Sequence, residues 1–511
     1  MANRELSVGK RAQGATRALL LTTFTAAIFV SAALLFMVQP MFTKMVLPRF
    51  GGAPSVWSVA IVFFQAALLA GYGYAHGLTR YLPGRKSLVV HLAVMIVATF
   101  ALPVSIAAGW SEPPETGEAF WLLGLFAVSI GLPFFALAAN SPLLQAWFAR
   151  SDHPAASDPY FLYAASNVGS FLALISYPTA IEPFVRLSEQ TRWWSIGFYL
   201  LIALIAGCAT LVWRAPEQIA DIRASEELAG RPSWRDVASW GALAAVPSGL
   251  LVAVTAHIST DVAAVPLLWV IPLALYLLTF VIIFARRPPI PHWLVVAVQP
   301  FVVVALVAVI LFEPIKTIIL LVAVHVVVFF VNALMCHGEL ARRRPPAAYL
   351  TSFYLWMAAG GMIGGIGAGL LAPHVFSWIA EYPILLALAV LCRPGLALPD
   401  DPRYRRVLVV GFAAAVAVLL ACMSFQIILD EAAFNWIFGA LLVASVLFWR
   451  APLPFAAMIA FTLLADHYVV DQANAIFVRS FFGVAKVSET ADGRFRLLTH
   501  GTTMHGAQRL R

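Results

Sequence analysis

Fourteen apolar runs, each about long enough to cross a bilayer as a helix, follow one another along this chain and leave little room for anything else. A hydrocarbon core about 30 Å thick takes about 20 helical residues at 1.5 Å each. By that ruler spans are predicted near 18–41, 56–79, 87–109, 120–147, 160–181, 194–213, 238–258, 263–285, 293–312, 316–336, 348–371, 375–394, 406–426 and 433–449. Helices are the structure these runs can adopt in lipid, because each backbone N–H and C=O must be satisfied within the segment. A fifteenth run, 452–469, contains Asp466 and His467; if it crosses, the last residues lie outside, and if not, inside. Charged residues make up only 11% of the 511, against about 25% in soluble domains, and mean hydropathy is +0.87. A soluble enzyme could not cover its surface with so little polar material, so lipid is the first partner.

The formal charge of +8 does not indicate nucleic acid, because the basic residues lie in short loops between apolar runs rather than on one domain. Those loops set orientation instead. With Arg4 inside, the inner loops of the first twelve spans hold Arg80, Arg85, Lys86, Arg150, Arg214, Arg223, Arg231, Arg235, Arg286, Arg287, Arg342, Arg343, Arg344, Arg393, Arg403, Arg405 and Arg406. The opposite loops hold Lys44, Arg49, Arg186, Arg192 and Lys316. This asymmetry predicts a multi-pass protein of the cell membrane, a bacterial inner membrane, with a cytoplasmic N-terminus. The first run is too long for a signal-peptide core and reads as the first span. Cys208, Cys336, Cys392 and Cys422 lack CxxC spacing, so neither disulfide frame nor metal site is expected.

The polar stretch 214–237 divides the first six spans from the next six. Across it, Asn140 aligns with Asn332, Gln145 with His337 and Arg150 with Arg342. One residue further on, Phe161-Leu162-Tyr163-Ala164-Ala165 aligns with Tyr354-Leu355-Trp356-Met357-Ala358, and Glu182-Pro183 falls near Ala372-Pro373. Both halves begin inside and hold six spans, so the repeats are parallel. The predicted fold is an all-α polytopic membrane protein of two parallel, major-facilitator-like six-helix halves, 1–213 and 238–394, with a cytoplasmic linker at 214–237. Two or three further helices follow at 395–470. The last stretch, 471–511, breaks the pattern: alternating runs around Ala491-Asp492-Gly493 predict a short β-hairpin. A lone hairpin buries no core, so this stretch reads as the opening of a further domain.

With these residues in view, the chain resembles the fused major-facilitator-like/spermidine synthase membrane proteins. The resemblance is carried by Gln39-Pro40-Met41, Leu47-Pro48, Gly51-Gly52, Val56-Trp57, Asn140-Ser141-Pro142-Leu143-Leu144-Gln145, Asp158-Pro159-Tyr160 through Asn167, Tyr177-Pro178 and Glu182-Pro183. At the end, Arg479-Ser480-Phe481-Phe482-Gly483-Val484 and His500-Gly501-Thr502-Thr503 match the join to the synthase part. The resemblance implies a transporter-like membrane part, a polyamine or related small amine as its solute, and a synthase-like domain or partner. An aminopropyltransferase-like domain needs a Gly-rich nucleotide loop after a strand, and an acidic residue to activate the amine. Neither is found, so no catalytic residue and no cofactor are expected, and the chain is not expected to be an enzyme. The glycines from Gly360 to Gly367 lie in an apolar span, where close helix packing is their expected role.

Polar groups inside spans are costly and usually face a cavity or one another. The tentative solute-binding set is Gln65, Asn140, Gln145, Asn167, His257, Asp261, His325 and Asn332. His257 and Asp261 stand one turn apart, and could share a proton and bind a cation or form a solvated helix end. Asn140 and Asn332 could contact solute or hydrogen-bond across helices to fasten the halves, and Asn167 could touch a ligand or serve packing. Glu182, near the outer surface, reads as an interfacial acid or a ligand. Tyr72, Tyr74, Tyr163 and Trp356 read as belt or core aromatics. Two functions follow: a transporter working by alternating access, or a membrane anchor for a synthase-like partner without catalysis of its own. No HExxH or GxSxG sits in a span, so intramembrane catalysis has no motif.

Overall fold

The computed structural model describes residues 2–50, 55–82, 84–110, 114, 118–213, 230–258, 270–285, 287–395, 401–403, 405–407, 409–411, 413, 417, 431–467, 475–480, 483–490, 493–500 and 503–510. The chain is a multi-pass helical membrane protein with a small β-sheet at its C-terminal end. Its helices are α1 (Ala2–Val46), α2 (Ser55–Tyr81), α3 (Arg85–Ala98), α4 (Glu118–Phe126), α5 (Leu132–Phe148), α6 (Phe161–Ser176), α7 (Glu182–Phe184) and α8 (Leu187–Trp213). After 214–229 come α9 (Trp234–His257), α10 (Val270–Ile283), α11 (His292–Phe312), α12 (Ile318–Arg342), α13 (Leu350–Ile366), α14 (Ala372–Val375), α15 (Glu381–Leu391), α16 (Glu431–Leu447) and α17 (Pro452–Asp466). The predicted spans fall on these helices, with two differences: the run 375–394 is helical only over Glu381–Leu391, after α14 has ended at Val375, and the run 87–109 stops early. The run 87–109 ends as a helix at Ala98 and a 3-10 turn at Thr99–Ala101, because Pro103 cannot continue the ladder. Most of 406–426 lies outside the described residues.

Three helices widen into five-residue π turns, at Ala127–Gly131, Tyr177–Ile181 and Gly367–Leu371. Each runs straight into a residue followed by proline: Leu132-Pro133, Glu182-Pro183 and Ala372-Pro373. Proline lacks the N–H and its ring strikes the carbonyl four residues back. A wider turn relieves both conflicts while keeping the helix continuous. The second and third π turns sit at matching places in the two repeats, so the Pro183–Pro373 correspondence in sequence is also one of backbone form.

The contacts form two compact units. The first comprises Met1–Ala242, Phe280–Pro288 and Arg343–Met362; the second comprises Leu243–Thr279, Pro289–Arg342 and Ile363–Arg511. In the first, α1 lies against α6, with Gly169 closed onto the backbone of Phe29. In the second, Gly364 meets the Ala245 carbonyl of α9, and Gly249 meets Gly364 and Leu385. One helical turn earlier, within the first unit, Gly360 meets the Gly241 carbonyl. Gly241, Ala245 and Gly249 recur every four residues on one face of α9, and Gly360 and Gly364 do so on α13. This is the small-xxx-small pattern that lets two backbones touch in lipid; Gly360 and Gly364 serve packing as expected, whereas Gly367 has nothing within 4 Å of an added methyl.

The tail is an antiparallel sheet in the order β1 (Ala475–Ser480), β2 (Gly483–Glu489), β3 (Phe495–His500), β4 (Thr503–Arg509). The expected hairpin around Asp492-Gly493 is β2–β3, with Gly493 at φ 64. It gains a strand on each side, which three or more strands need for independent stability. Within the second unit, Arg393 after α15 donates to Trp449 O after α16 (2.6 Å) and Val296 O of α11 (3.2 Å). At the other end of α15, Trp378 stacks on His467, which follows α17, at 3.8 Å. Helix α17 therefore runs from the Arg393 end to the opposite end, antiparallel to α15. The sheet lies at that opposite end, away from His292, Arg342 and Arg393.

Candidate functional site

The polar residues of the spans are mostly spoken for. Asn140 of α5, fully buried, donates to Ser31 Oγ of α1 (3.0 Å), and its Oδ1 meets His91 Nε2 of α3 at 2.7 Å. Asn332 of α12 accepts from Gln299 Nε2 of α11 at 2.7 Å and donates to Val328 O. Seven residues further along the same helices, Trp147 donates to Ser87 Oγ of α3 (3.2 Å), and Glu339 meets His292 Nε2 of α11 (2.7 Å). In both repeats, then, the fourth span is joined to the third through the same two positions. The expectation that Asn140 and Asn332 fasten one half to the other is corrected: each is satisfied within its own repeat.

Gln145 is the exception that reaches the other half of the sequence. Its Oε1 accepts from Tyr354 Oη at 2.8 Å, and its Nε2 stays with Ser141. Around this bond the first unit collects a latch. Tyr160 Oη donates to Pro345 O (2.9 Å), Arg344 pairs with Asp158 (2.8 Å) and lies over the Tyr160 ring, and His76 Nδ1 meets Thr351 Oγ1 (3.0 Å). Tyr163 and Tyr354 pack at 4.9 Å between ring centroids. Asp158, Tyr160 and Arg150 lie where α5 turns into α6; Arg344 and Pro345 lie where α12 turns into α13. The latch thus joins matching turns of the two repeats at the basic end. An exposed pair such as Arg344–Asp158 contributes about 0–1 kcal/mol, and a buried neutral hydrogen bond about 1 kcal/mol. A latch of a few such bonds can open.

The remaining candidates divide. Asn167 donates to Tyr163 O one turn back on its own helix (2.8 Å), a packing arrangement. Gln65, half-buried ten residues into α2, has a shielded Oε1 without a hydrogen-bond partner among the described residues. His257 at the end of α9 lies beside His325 of α12 (ring centroids 4.8 Å) and stacks on Tyr382 of α15 (5.1 Å). His325 Nδ1 meets Tyr382 Oη at 2.8 Å. Asp261, the expected partner of His257, lies outside the described residues. Glu182 forms an ion pair with Lys44. Among the described residues, no group of three or more His, Cys, Asp or Glu side chains is arranged to hold a metal.

At the sheet end, Arg479 of β1 grips Glu381 through both nitrogens, at 2.9 and 2.6 Å, and also donates to Trp378 O at 2.6 Å. Both side chains are more than nine-tenths buried. Sequence reasoning missed His91, Gln299, Tyr382 and Arg479. His91 and Gln299 carried the same signal as His325, a lone polar residue within an apolar run. Tyr382 and Arg479 carried none.

Fold and polar placement together define a polytopic helical membrane protein with an internally repeated core. No family model and no curated protein matches the chain. Among solved structures it is similar to the major facilitator superfamily proton:xylose symporter XylE, with 11% identity over 74% of this chain and 94% of that one, at TM-score 0.49. It is also similar to the human organic anion transporter MFSD10 (13% identity, 74% and 96% covered, TM-score 0.44) and to the peptide transporter POT in complex with sulfate (14%, 73% and 93%, 0.44).

Proposed function

We propose that this protein moves a small polar solute across the membrane by alternating access, with its basic, cytoplasmic end latched shut in the state described. The observation that supports this reading is the latch, in which Gln145, Tyr160 and Asp158 of one repeat hold Tyr354, Pro345 and Arg344 of the other by bonds of modest strength. Permanent packing would favour apolar contact at that end. A set of exchangeable polar bonds suits an interface that separates and reforms. Ten residues of helix place Gln65 about 15 Å along α2, near the midplane where solutes of two-repeat transporters bind, and its unpartnered carbonyl oxygen suits an ammonium donor. The proposed solute is a polyamine or related amine, from which Gln65 accepts a hydrogen bond; Asp261, an acid read from the sequence alone, is proposed separately as an attraction for the cation. Asn140, Asn332 and Asn167 serve the scaffold in this reading.

Thermal unfolding of the purified protein with spermidine, other amines, amino acids and nucleosides tests it. A ligand at a hundredfold excess over Kd stabilises the folded state by about 2.7 kcal/mol. The expected result is a clear shift with an amine that is lost in Asp261→Asn and weakened in Gln65→Leu. No shift with any of the panel would contradict it. The second reading, an anchor for a synthase-like partner, draws on the buried Arg479–Glu381 clamp, which holds the sheet against the end of the bundle as a platform. With the basic loops inside, that platform faces the extracytoplasmic side.

A further inference from the structure

We infer that the lipid-facing seam between α3 and α8, at the basic end of the first unit, binds one anionic phospholipid, with Arg85 holding the headgroup phosphate. Arg85 opens α3, and its Nη2 donates to the carbonyl of Trp213, the last residue of α8, at 3.0 Å. Its guanidinium also lies over the Trp213 indole, 5.1 Å from the ring centroid. These two contacts fix the plane of the fork at the level where interfacial indoles sit. Among the described residues no other acceptor meets it. The rest of its five donors are left for the oxygens of a phosphodiester, a geometry that a planar fork matches and a lysine does not.

The same two helices supply the path for the acyl chains. From Arg85 an exposed stripe of α3 runs through Val89, Ala93 and Ile96, at the three-to-four-residue repeat of a helix face. From Trp213 an exposed stripe of α8 runs back through Thr210, Ala203 and Leu200. Helix α3 packs beside α8, and the contact between Arg85 and Trp213 joins the two stripes at their basic ends. Small or apolar stripes that finish in a fixed cation suit a lipid rather than a soluble anion. Arg80 and Lys86 add two exposed cations at the same turn, and the sequence holds no acidic residue between Glu5 and Glu112. Two acids of this end are engaged elsewhere, Asp152 with Arg17 at 3.5 Å and Asp158 with Arg344 at 2.8 Å. Glu217, Asp221, Glu226 and Glu227 lie outside the described residues. A basic seam between spans takes up an acidic headgroup by charge match.

Native mass spectrometry of the delipidated full-length protein, offered equal amounts of phosphatidylglycerol and phosphatidylcholine in detergent, reads the affinity for the first lipid bound. The wild type is expected to prefer phosphatidylglycerol, because the choline of the other lipid meets Arg80 and Lys86 as a like charge. Arg85→Gln should weaken phosphatidylglycerol binding by at least about tenfold, the loss of one charge-assisted contact. Arg235→Gln is the control: it removes a cation that lies over Trp234 at the same end, and binding should stay level. Neutralising Glu217, Asp221, Glu226 and Glu227 together should also leave it level. A wild type that holds both lipids equally would overturn the inference, and this comparison stands even where Arg85→Gln fails to fold. Equal losses in Arg85→Gln and Arg235→Gln would overturn it too, since they would mark diffuse charge rather than a site. So would a preference seen only with the four acids neutralised, which would give Arg85 to the linker. No solute enters the measurement, so its outcome is independent of the amine-binding test.

Discussion

Replacing Glu381 by alanine is expected to release the C-terminal sheet from the bundle and to expose Arg479 to trypsin. In the intact protein the guanidinium is bound by both carboxylate oxygens and the Trp378 carbonyl, and 7% of its side chain is accessible. Breaking a buried pair by removing one partner costs about 3–5 kcal/mol, because the remaining charge stays out of water. The sheet can recover that cost by undocking and hydrating Arg479. Cleavage after Arg479 should therefore rise sharply in Glu381→Ala, and the Trp378–His467 stack should be lost with it. The double variant Glu381→Ala/Arg479→Leu should regain part of the stability, since no charge is left behind. Unchanged protection from trypsin in the single variant would show that the sheet is held by something else.

The second large effect is expected at Gly364. A methyl group there would collide with the carbonyl oxygen of Ala245, and backbone atoms cannot turn aside as a side chain can. Helices α9 and α13 would have to part. Overpacking a closed site costs about 1–3 kcal/mol and sometimes more, and a contact between two backbones belongs at the upper end. Gly360→Ala, facing the Gly241 carbonyl, should behave in the same way. Gly439→Ala on α16 is the control, because nothing lies within 4 Å of its added methyl. Thermal unfolding in nanodiscs should fall markedly for the first two variants and stay level for the third. A Gly364→Ala protein as stable as the wild type would mean that the helices do not approach as described.

The spans and the repeat were legible because lipid imposes a length and a composition that each segment must meet alone. The same holds for the role of Gly360 and Gly364, since small residues four apart in an apolar run have few uses other than packing. Local chemistry also gave β2–β3, through Asp492-Gly493. Partnerships were harder. That Asn140 would find His91 rather than the other half depends on helix rotation, which hydropathy does not encode. Glu381 and Arg479 stand far apart in the chain, and each alone reads as an ordinary charge at a helix end or on a strand. The π turns at Tyr177–Ile181 and Gly367–Leu371 were half visible. Proline marked the place, but the choice between a kink, a break and a widened turn depends on how neighbouring helices hold both ends.

The proposal that the basic end opens and closes is tested most directly by electron–electron distance measurement between spin labels at the exposed positions Ser157 and Pro346, with the native cysteines replaced by serine. These residues flank Asp158 and Pro345 on either side of the latch. Two conformers separated by a few kcal/mol leave a minor state populated at about 0.1–10%, and weakening the latch should raise that share. The expected result is a dominant short distance with a longer one that grows in Arg344→Ala and grows further in Gln145→Ala. A single narrow distance that neither substitution broadens would contradict alternating access and leave the protein a rigid membrane platform.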